Sequence, residues 1–304
     1  MKIKIGTRKS KLALWQAAHI ASLLEEEGVV VEIISIETKG DKIVDRALSK
    51  IGSKGVFTEE LEEMLRQGEI DIAVHSAKDV QSSLPDELPI IAFTEREECC
   101  DVLVSHKDVK LGDEIVIGTS STRRVALLKH HYPGVSIVDI RGNLQTRFSK
   151  MEEGHCDAMI LAYAGVHRMG LDQYIVEKLS IDQFIPPVGQ GALAIQAAID
   201  LSEEKHHTVR KVCNEEQTEK CLLAERAYLR TMEGGCSIPV FANATLSHDE
   251  LTLVGGITSL DGTEIVEKQL TAPATDAEQL GEELANYVLN NRGREILNDI
   301  LKVN

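Results

Sequence analysis

The stretch IDIAVHSAKDVQ, residues 70–81, decides the fold because it joins a buried strand to a pair of opposite charges. Its first half is almost continuously apolar, which is typical of a strand buried on both faces. Lys78 and Asp79 follow the carboxyl end of this strand, where open α/β sheets bind their ligands. The lysine can hold an anionic group while the aspartate accepts a proton or faces a developing cation. A solvated ion pair in a turn is the alternative.

The residues before this stretch predict a right-handed crossover between parallel strands. The segment IKIGTRKS, residues 3–10, alternates into a Gly-Thr turn and ends at a serine that can cap a helix. An apolar stripe then runs to Gly28, which ends the helix, and residues 29–36 form the next strand. A strand, a helix and a short return to a second strand make such a unit.

The same pattern restarts after a polar crossing, TEREECCD, at residues 94–101. The segment IVIGTSS, residues 115–121, repeats the earlier strand and Gly-Thr turn, and a β-branched strand follows at 135–140. The segment IPPVGQG, residues 185–191, is a rigid return, after which residues 192–199 form a strand that can rejoin the first lobe. We therefore expect two similar α/β lobes facing a cleft, with helix N-termini that favour anions. The repeat is short, and coincidence is the alternative.

From about residue 214 the pattern changes to a helix, three strands and a long C-terminal helix from about residue 276, which indicates a small α+β domain. The predicted domains are residues 1–95 with 192–212, residues 96–191, and residues 213–304. Cys236 follows two glycines on a loop of the third domain, where a thiol can be exposed. An inert buried thiol is the alternative.

Composition limits the classes of function. The formal charge is −16 and the pI is near 5.1, which argues against nucleic acid or an anionic membrane as the main partner. The sequence has no recognisable signal peptide and no apolar run of about 18 residues, so we expect a cytoplasmic protein. The six cysteines contain no C-x-x-C pair and no histidine pair at zinc spacing, so we expect free thiols and no metal.

Six basic residues nevertheless lie at predicted strand ends or in first helical turns, the places that face a ligand in this architecture. They are Arg8, Lys78, Arg123, Arg124, Arg141 and Arg147. Arginines grip carboxylates with two hydrogen bonds, so a polycarboxylate or phosphate site is one interpretation. Ordinary surface charge is the other. His75 is interpreted as a packed residue at the strand end rather than as a catalyst.

Five motifs together resemble the porphobilinogen deaminase family, in the same order over essentially the whole chain. They are HSAKDV at 75–80, GTSSTRR at 118–124, RGNLQTR at 141–147, VGQGA at 188–192, and ER at 225–226 with EGGC at 233–236. The resemblance implies an enzyme that condenses four porphobilinogens into hydroxymethylbilane and releases ammonia, in haem biosynthesis. It also implies a covalent dipyrromethane cofactor and three domains, two of them like the lobes of periplasmic binding proteins. A monomer is the family expectation.

The resemblance also assigns individual residues. Asp79 matches the catalytic aspartate, and Cys236 matches the cysteine that holds the cofactor through a thioether. Positions implied to bind the cofactor are Lys78, Ser121, Arg123, Arg124, Arg141 and Gln190, and positions implied to bind substrate are Arg8, Ser10, Lys50, Lys54, Phe57, Thr119 and Arg147. Three residues depart from the family pattern. Ala77 and Gln81 should leave the chemistry intact, whereas Thr58-Glu59 puts the charge of the 50–59 loop in doubt.

A non-catalytic two-lobed receptor for a small anion is the competing interpretation. The two lobes and their helix ends support it equally well. Cys236 and the third domain discriminate between the two interpretations, because a receptor needs no covalent anchor.

Overall fold

The computed structural model describes residues 1–38, 58–233 and 238–303. Its strands are β1 (Lys2–Arg8), β2 (Val30–Ile36), β3 (Ile72–Ser76), β4 (Ile90–Phe93), β5 (Asp101–Val104), β6 (Val116–Gly118), β7 (Ser136–Val138), β8 (Ala158–Ala162), β9 (Ile175–Lys178), β10 (Leu193–Gln196), β11 (Val240–Ser247), β12 (Glu250–Thr258) and β13 (Ile265–Pro273). Its α-helices are α1 (Lys11–Glu26), α2 (Glu59–Arg66), α3 (Thr122–His131), α4 (Leu144–Glu152), α5 (Tyr163–Arg168), α6 (Glu203–Cys213), α7 (Glu216–Thr231), α8 (Ala277–Val288) and α9 (Arg294–Val303).

The first sheet has the strand order β2-β1-β3-β10-β4. Strand β1 runs parallel to β2 and β3, whereas β10 runs antiparallel to both β3 and β4. Helix α1 begins after Ser10, whose side chain accepts a hydrogen bond from the backbone of Ala13. The apolar stripe of α1 packs against Ile3 and Ile5 of β1 in the core. The predicted crossover unit and the return of residues 192–199 to the first sheet are therefore confirmed.

The second sheet has the strand order β7-β6-β8-β5-β9. Place by place, these strands correspond to β2-β1-β3-β10-β4 of the first sheet. Strand β6 runs parallel to β7 and β8, and β5 runs antiparallel to both β8 and β9. In each sheet, the strand that runs antiparallel to both neighbours begins directly after the chain crosses from the other sheet. The expectation of two similar α/β lobes is confirmed by this shared order.

The third sheet is an antiparallel meander, β11-β12-β13, covered by helices. Its apolar face shares one core with α7 and α8. The predicted long C-terminal helix is wrong in one respect, because α8 and α9 are separate. Between them, Arg292 has φ 78° and Asn291 has non-helical backbone angles, which interrupt the helix.

The described chain forms two compact units, one of residues 1–38, 58–97 and 191–219 and one of residues 98–190, 220–233 and 238–303. The three domain boundaries proposed from sequence stay a prediction. No helix in the described ranges is long and apolar enough to cross a membrane. Within those ranges, no group of three His, Cys, Asp or Glu side chains is arranged to hold a metal.

Candidate anion-binding site

A buried carboxylate, Asp101, holds two consecutive arginines in the second unit. Asp101 is the first residue of β5 and is fully buried. Its Oδ2 accepts a hydrogen bond from Arg123 Nη2 at 2.6 Å, and its Oδ1 accepts one from Arg124 Nη2 at 2.7 Å. Each arginine also donates from Nη1 to a backbone carbonyl, Arg123 to Ile185 at 2.8 Å and Arg124 to Ile160 at 3.1 Å. Both guanidinium planes are thus fixed at two points.

Helix α3 positions this pair because Ser121 caps its N-terminus. The Ser121 Oγ accepts a hydrogen bond from the Arg124 backbone N–H at 3.4 Å, which places both arginines in the first turn. Just before the helix, Gly118 packs so closely that a Cβ would lie 2.6 Å from the Ile140 side chain. The Thr119 that follows is buried, at 4% exposure. The end of β6 therefore has no room for a side chain at Gly118.

Gln190 is the third residue that contacts Asp101. Its Nε2 donates to Asp101 Oδ1 at 2.9 Å and to the Cys99 carbonyl at 2.7 Å. It stands between Gly189 and Gly191, whose φ angles of 77° and 97° favour glycine. This backbone shape explains why the VGQGA motif needs glycine on both sides. Gln190 thus holds Asp101 in place, and its contact with the cofactor stays a prediction.

The charges of the cluster do not cancel. Burial alone would raise the pKa of Asp101, but the adjacent Arg123 and Arg124 outweigh it and hold that pKa well below its usual range. Burial lowers the pKa of Arg123, and Asp101 opposes that shift. One carboxylate and two guanidinium groups leave one net positive charge in a site that is almost closed to water. The Nε atoms of Arg123 and Arg124 are buried and have no hydrogen-bond partner within the described part of the chain.

Arg141 and Arg147 form a separate basic pair around α4. Arg141 Nε donates to Asp139 Oδ2 at 2.7 Å, and Arg147 Nε donates to the Gly142 carbonyl at 2.8 Å. Asn143 caps α4 by accepting a hydrogen bond from the backbone of Thr146. Both arginines are half-buried, so their guanidinium groups remain within reach of solvent and of a dissolved anion.

The first unit carries the predicted catalytic residue. The strand β3 ends at Ser76, and Ala77–Asp79 form one 3-10 turn, so Lys78 and Asp79 lie directly beyond the strand as predicted. Lys78 is half-buried and Asp79 is exposed. The aspartate is therefore reachable from solvent, whereas the proposed chemistry favours a carboxylate shielded from water.

His75 is packed inside the first sheet. Its Nε2 lies 3.2 Å from Gln196 Oε1 on the neighbouring strand β10. Burial lowers the pKa of His75 to about 4, although Gln196 and Asp79 oppose that shift. The residue is neutral at physiological pH, which agrees with its interpretation as a packed histidine.

The remaining predicted residues divide into two groups. Arg8 ends β1 and Ser10 caps α1, and both are half-buried. Lys50, Lys54, Phe57 and Cys236 lie outside the described residues.

Asp101 is a site residue that the sequence pattern does not predict. It lies in the polar crossing at 94–101, yet it opens an entirely buried strand, DVLV. A carboxylate at the first position of such a strand requires a partner, because a buried unpaired charge is costly. Two arginines in a following first turn supply that partner, and this was the available signal.

The chain is an α/β protein that has a buried arginine pair beside one sheet and a carboxylate beyond a parallel strand of the other. The chain belongs to the porphobilinogen deaminase family. Residues 3–206 match the family model for the porphobilinogen deaminase dipyromethane cofactor binding domain, and residues 219–290 match the porphobilinogen deaminase C-terminal domain.

Two relatives named porphobilinogen deaminase are similar over nearly their whole length. The protein from Cytophaga hutchinsonii is 58% identical over 303 residues, which cover 99% of this chain and 97% of the relative. The protein from Desulfosudis oleivorans is 53% identical over 306 residues, which cover 99% of each chain. These matches support the enzyme interpretation and not the anion receptor.

Solved structures of transporter components are more distant. The second substrate binding domain of a putative amino acid ABC transporter from Streptococcus pneumoniae is 12% identical, with a TM-score of 0.44 over 69% of this chain and 91% of that one. A similarity at this level adds nothing to the assignment.

The site residues fit a dipyrromethane, which carries carboxylate side chains. The Asp101 cluster has an excess of donors and one net positive charge, and the buried Nε atoms of Arg123 and Arg124 lack acceptors among the described residues. A carboxylate of the cofactor would supply both the charge and the acceptors.

Proposed function

We propose that this chain is a hydroxymethylbilane synthase. It would join four porphobilinogens head to tail and release four ammonia molecules, with Asp79 as the catalytic residue. The observation that carries the proposal is the buried arginine pair with one net positive charge, located in the segment that matches the cofactor-binding domain.

One set of residues would bind the carboxylates of the cofactor, and another set would bind those of porphobilinogen. Arg123, Arg124, Arg141 and Lys78 would hold the cofactor, together with Ser121 and Gln190. Arg8, Arg147, Ser10 and Thr119 would hold incoming porphobilinogen, together with Lys50, Lys54 and Phe57. Arginine suits this task because its planar fork pairs with a carboxylate through two hydrogen bonds.

The chemistry needs a carboxylate beside the reacting carbon. When porphobilinogen loses ammonia, its C–N bond breaks with the electron pair on nitrogen, and a cationic methylene-pyrrolenine remains. Asp79 would accept a hydrogen bond from the pyrrole N–H and stabilise that cation. Asp79 would also take the proton that a terminal pyrrole carbon loses when it bonds to that cation. Water supplies the hydroxyl group when the product leaves, so the sequence needs no oxidant or reductant.

The dipyrromethane supplies the terminal pyrrole carbon at which the chain grows. Cys236 would hold it through a thioether. Three other cysteines are poorer candidates, because burial raises the pKa of the Cys100 thiol to about 11 and that of the Cys213 thiol to about 12, and it also raises the pKa of the Cys156 thiol. Thiols with such pKa values are almost entirely protonated at neutral pH and react slowly.

Intact-mass spectrometry of the purified protein tests the proposal. The wild-type chain should weigh more than its sequence by two condensed pyrrole units, and it should give the colour of a pyrrole with Ehrlich's aldehyde reagent. Brief exposure to porphobilinogen should add further pyrrole increments. An unmodified wild-type chain with full activity would exclude the covalent cofactor.

The matched controls are serine variants of all six cysteines. Cys236→Ser should abolish the added mass, since a serine hydroxyl is a weaker nucleophile than a thiolate. Serine variants of Cys99, Cys100, Cys156, Cys213 and Cys221 should keep the added mass. An adduct that disappears with one of these five would contradict the assignment of Cys236.

The cytoplasm is the proposed setting of the enzyme. The acidic chain and the small substrate are consistent with a cytoplasmic monomer that needs neither nucleic acid nor a membrane.

A further inference from the structure

The second sheet buries a charged residue, Asp101, against two arginines of α3, whereas none of the Asp, Glu, Lys or Arg residues in the described strands of the first sheet is buried. Asp101 opens β5 opposite Ala162, the last residue of β8. In the first sheet, Leu193 opens β10 opposite Ser76, the last residue of β3. The positions of Asp101 and Leu193 are therefore equivalent. At the second of them, an apolar leucine packs in place of the carboxylate.

Helix α1, which follows β1, and helix α3, which follows β6, show the same contrast between apolar and charged residues. Ser10 accepts from the backbone of Ala13, and Ser121 accepts from the backbone of Arg124. Counted from these caps, Leu12 and Ala13 in α1 occupy the places of Arg123 and Arg124 in α3. The architecture does not itself require charge at any of the three positions.

We propose that Asp101 is a positioning residue for the cofactor, which orients Arg123 and Arg124 so that a ligand carboxylate can accept hydrogen bonds from both. This inference rests on the proposed function of the chain. Asp101 fixes one Nη atom of each arginine, and the carbonyls of Ile160 and Ile185 fix the other.

Three contacts hold the carboxylate itself in place. Gln190 and Arg124 donate to Asp101 Oδ1, and Arg123 donates to Oδ2. Asp101 is fully buried and Gln190 is 1% exposed, so water does not compete for these bonds. The carboxylate also sets the charge of the cluster, because without it two like charges would lie side by side away from solvent.

The test follows cofactor attachment rather than turnover. Each variant is produced without porphobilinogen, porphobilinogen is then added, and intact-mass spectrometry measures the rate at which two pyrrole units are attached. Asp101→Asn keeps the size of the side chain but removes its charge, and we expect attachment to be at least tenfold slower. Wild-type attachment by a folded Asp101→Asn variant would overturn the proposal.

Tyr228→Phe is the matched control. Tyr228 is also fully buried in the second unit, but its hydroxyl donates a hydrogen bond to the backbone carbonyl of Gly256 in β12. We expect a lower thermal midpoint with a normal attachment rate. Equal slowing in both variants would show that Asp101 acts through general stability, which would also overturn the proposal.

Asp101→Glu keeps the inference testable if the asparagine variant does not fold. It retains the charge and moves the carboxylate by about one bond length, and displacement on the order of 1 Å can cost about 100-fold in a positioned reaction. We expect a folded chain with slower attachment, and an unchanged rate would contradict positioning. A wild-type chain that attaches no pyrrole would instead refute the proposed function, which separates the two failures.

Discussion

The first and second sheets share one strand order but bury different polar groups. The first sheet pairs His75 with Gln196, where the second sheet has Leu161 and Val104 at the equivalent positions. The second sheet buries Asp101 with two arginines, where the first has apolar residues. One architecture thus carries an exposed carboxylate, Asp79, on one sheet and a cationic cluster beside the other. The difference shows that strand order sets the places for functional groups, whereas the sequence at those places sets their charge.

The largest expected effect is on turnover and comes from removing the carboxylate of Asp79 in the first unit. Asp79→Asn should lower single-turnover release of ammonia by about 10²–10⁴, because an amide cannot balance the developing cation. The change lies on the surface, so the thermal midpoint should stay the same. Asp86→Asn alters another exposed carboxylate of the same segment and should leave turnover unchanged. A loss below about tenfold for Asp79→Asn would exclude the catalytic role, given the usual contribution of such groups.

The next largest effect is on the free energy of unfolding. It comes from replacing the charged cluster of the second unit with the apolar residues found at the equivalent positions of the first. The double variant Arg123→Leu with Arg124→Ala leaves Asp101 buried without a counter-charge, which should cost about 3–5 kcal/mol in the free energy of unfolding. Adding Asp101→Leu should recover most of that loss, as at Leu193. Urea denaturation of the three chains measures both values. A triple variant as unstable as the double variant would contradict the equivalence of the two sheets.

A pH-dependent effect distinguishes the first sheet. The pKa of His75 is about 4 in the folded chain, below the value of about 6.5 in an unfolded chain. Between these values the unfolded chain binds the proton and the folded chain does not, so stability falls as pH falls through this window. The full loss below pH 4 is about 3 kcal/mol.

The variant His75→Leu with Gln196→Val copies the second sheet and should lack this contribution. Its unfolding free energy should fall less than that of the wild type between pH 7 and pH 4, as measured by urea titration. Parallel curves for the two chains would show that His75 is not the group responsible.

The smallest expected effect tests the helix caps that the two units have in common. Ser10→Ala and Ser121→Ala should each cost about 1 kcal/mol, because each removes an oxygen that accepts a backbone N–H. The functional consequences should differ, with Ser121→Ala slowing cofactor attachment and Ser10→Ala raising the KM for porphobilinogen. Asn143→Ala, at the cap of α4, gives a third stability value for comparison. Identical functional effects of the two serine variants would argue against the assigned division of roles.

The sequence predicted much of this architecture because the relevant signals are local. Ser10 and Gly28 bound α1, and the apolar run before Lys78 predicted β3 and the turn beyond it. The break between α8 and α9 was not predicted, because Arg292 adopts a left-handed backbone angle that its side chain does not indicate.

The buried partners of the site were harder to predict because they depend on contacts between distant parts of the chain. Asp101 meets its arginines from a strand that precedes their helix, and Gln190 reaches it from a loop far along the sequence. Residue type alone marked the arginines as ligands, whereas the only local sign of their carboxylate partner is the acidic residue that opens the apolar strand DVLV. Most individual roles, including that of Cys236, rest on the family resemblance.

The crossing strands also have a consequence for how the chain is made. Leu193 pairs with Ser76, so the first sheet needs a strand that the ribosome synthesises only after all five strands of the second sheet. Pairings of such large sequence separation form slowly. A chain that stops after residue 190 would leave the edges of β3 and β4 without β10, and unpaired edges promote aggregation. Premature termination in this region would therefore endanger the part of the protein that was synthesised first.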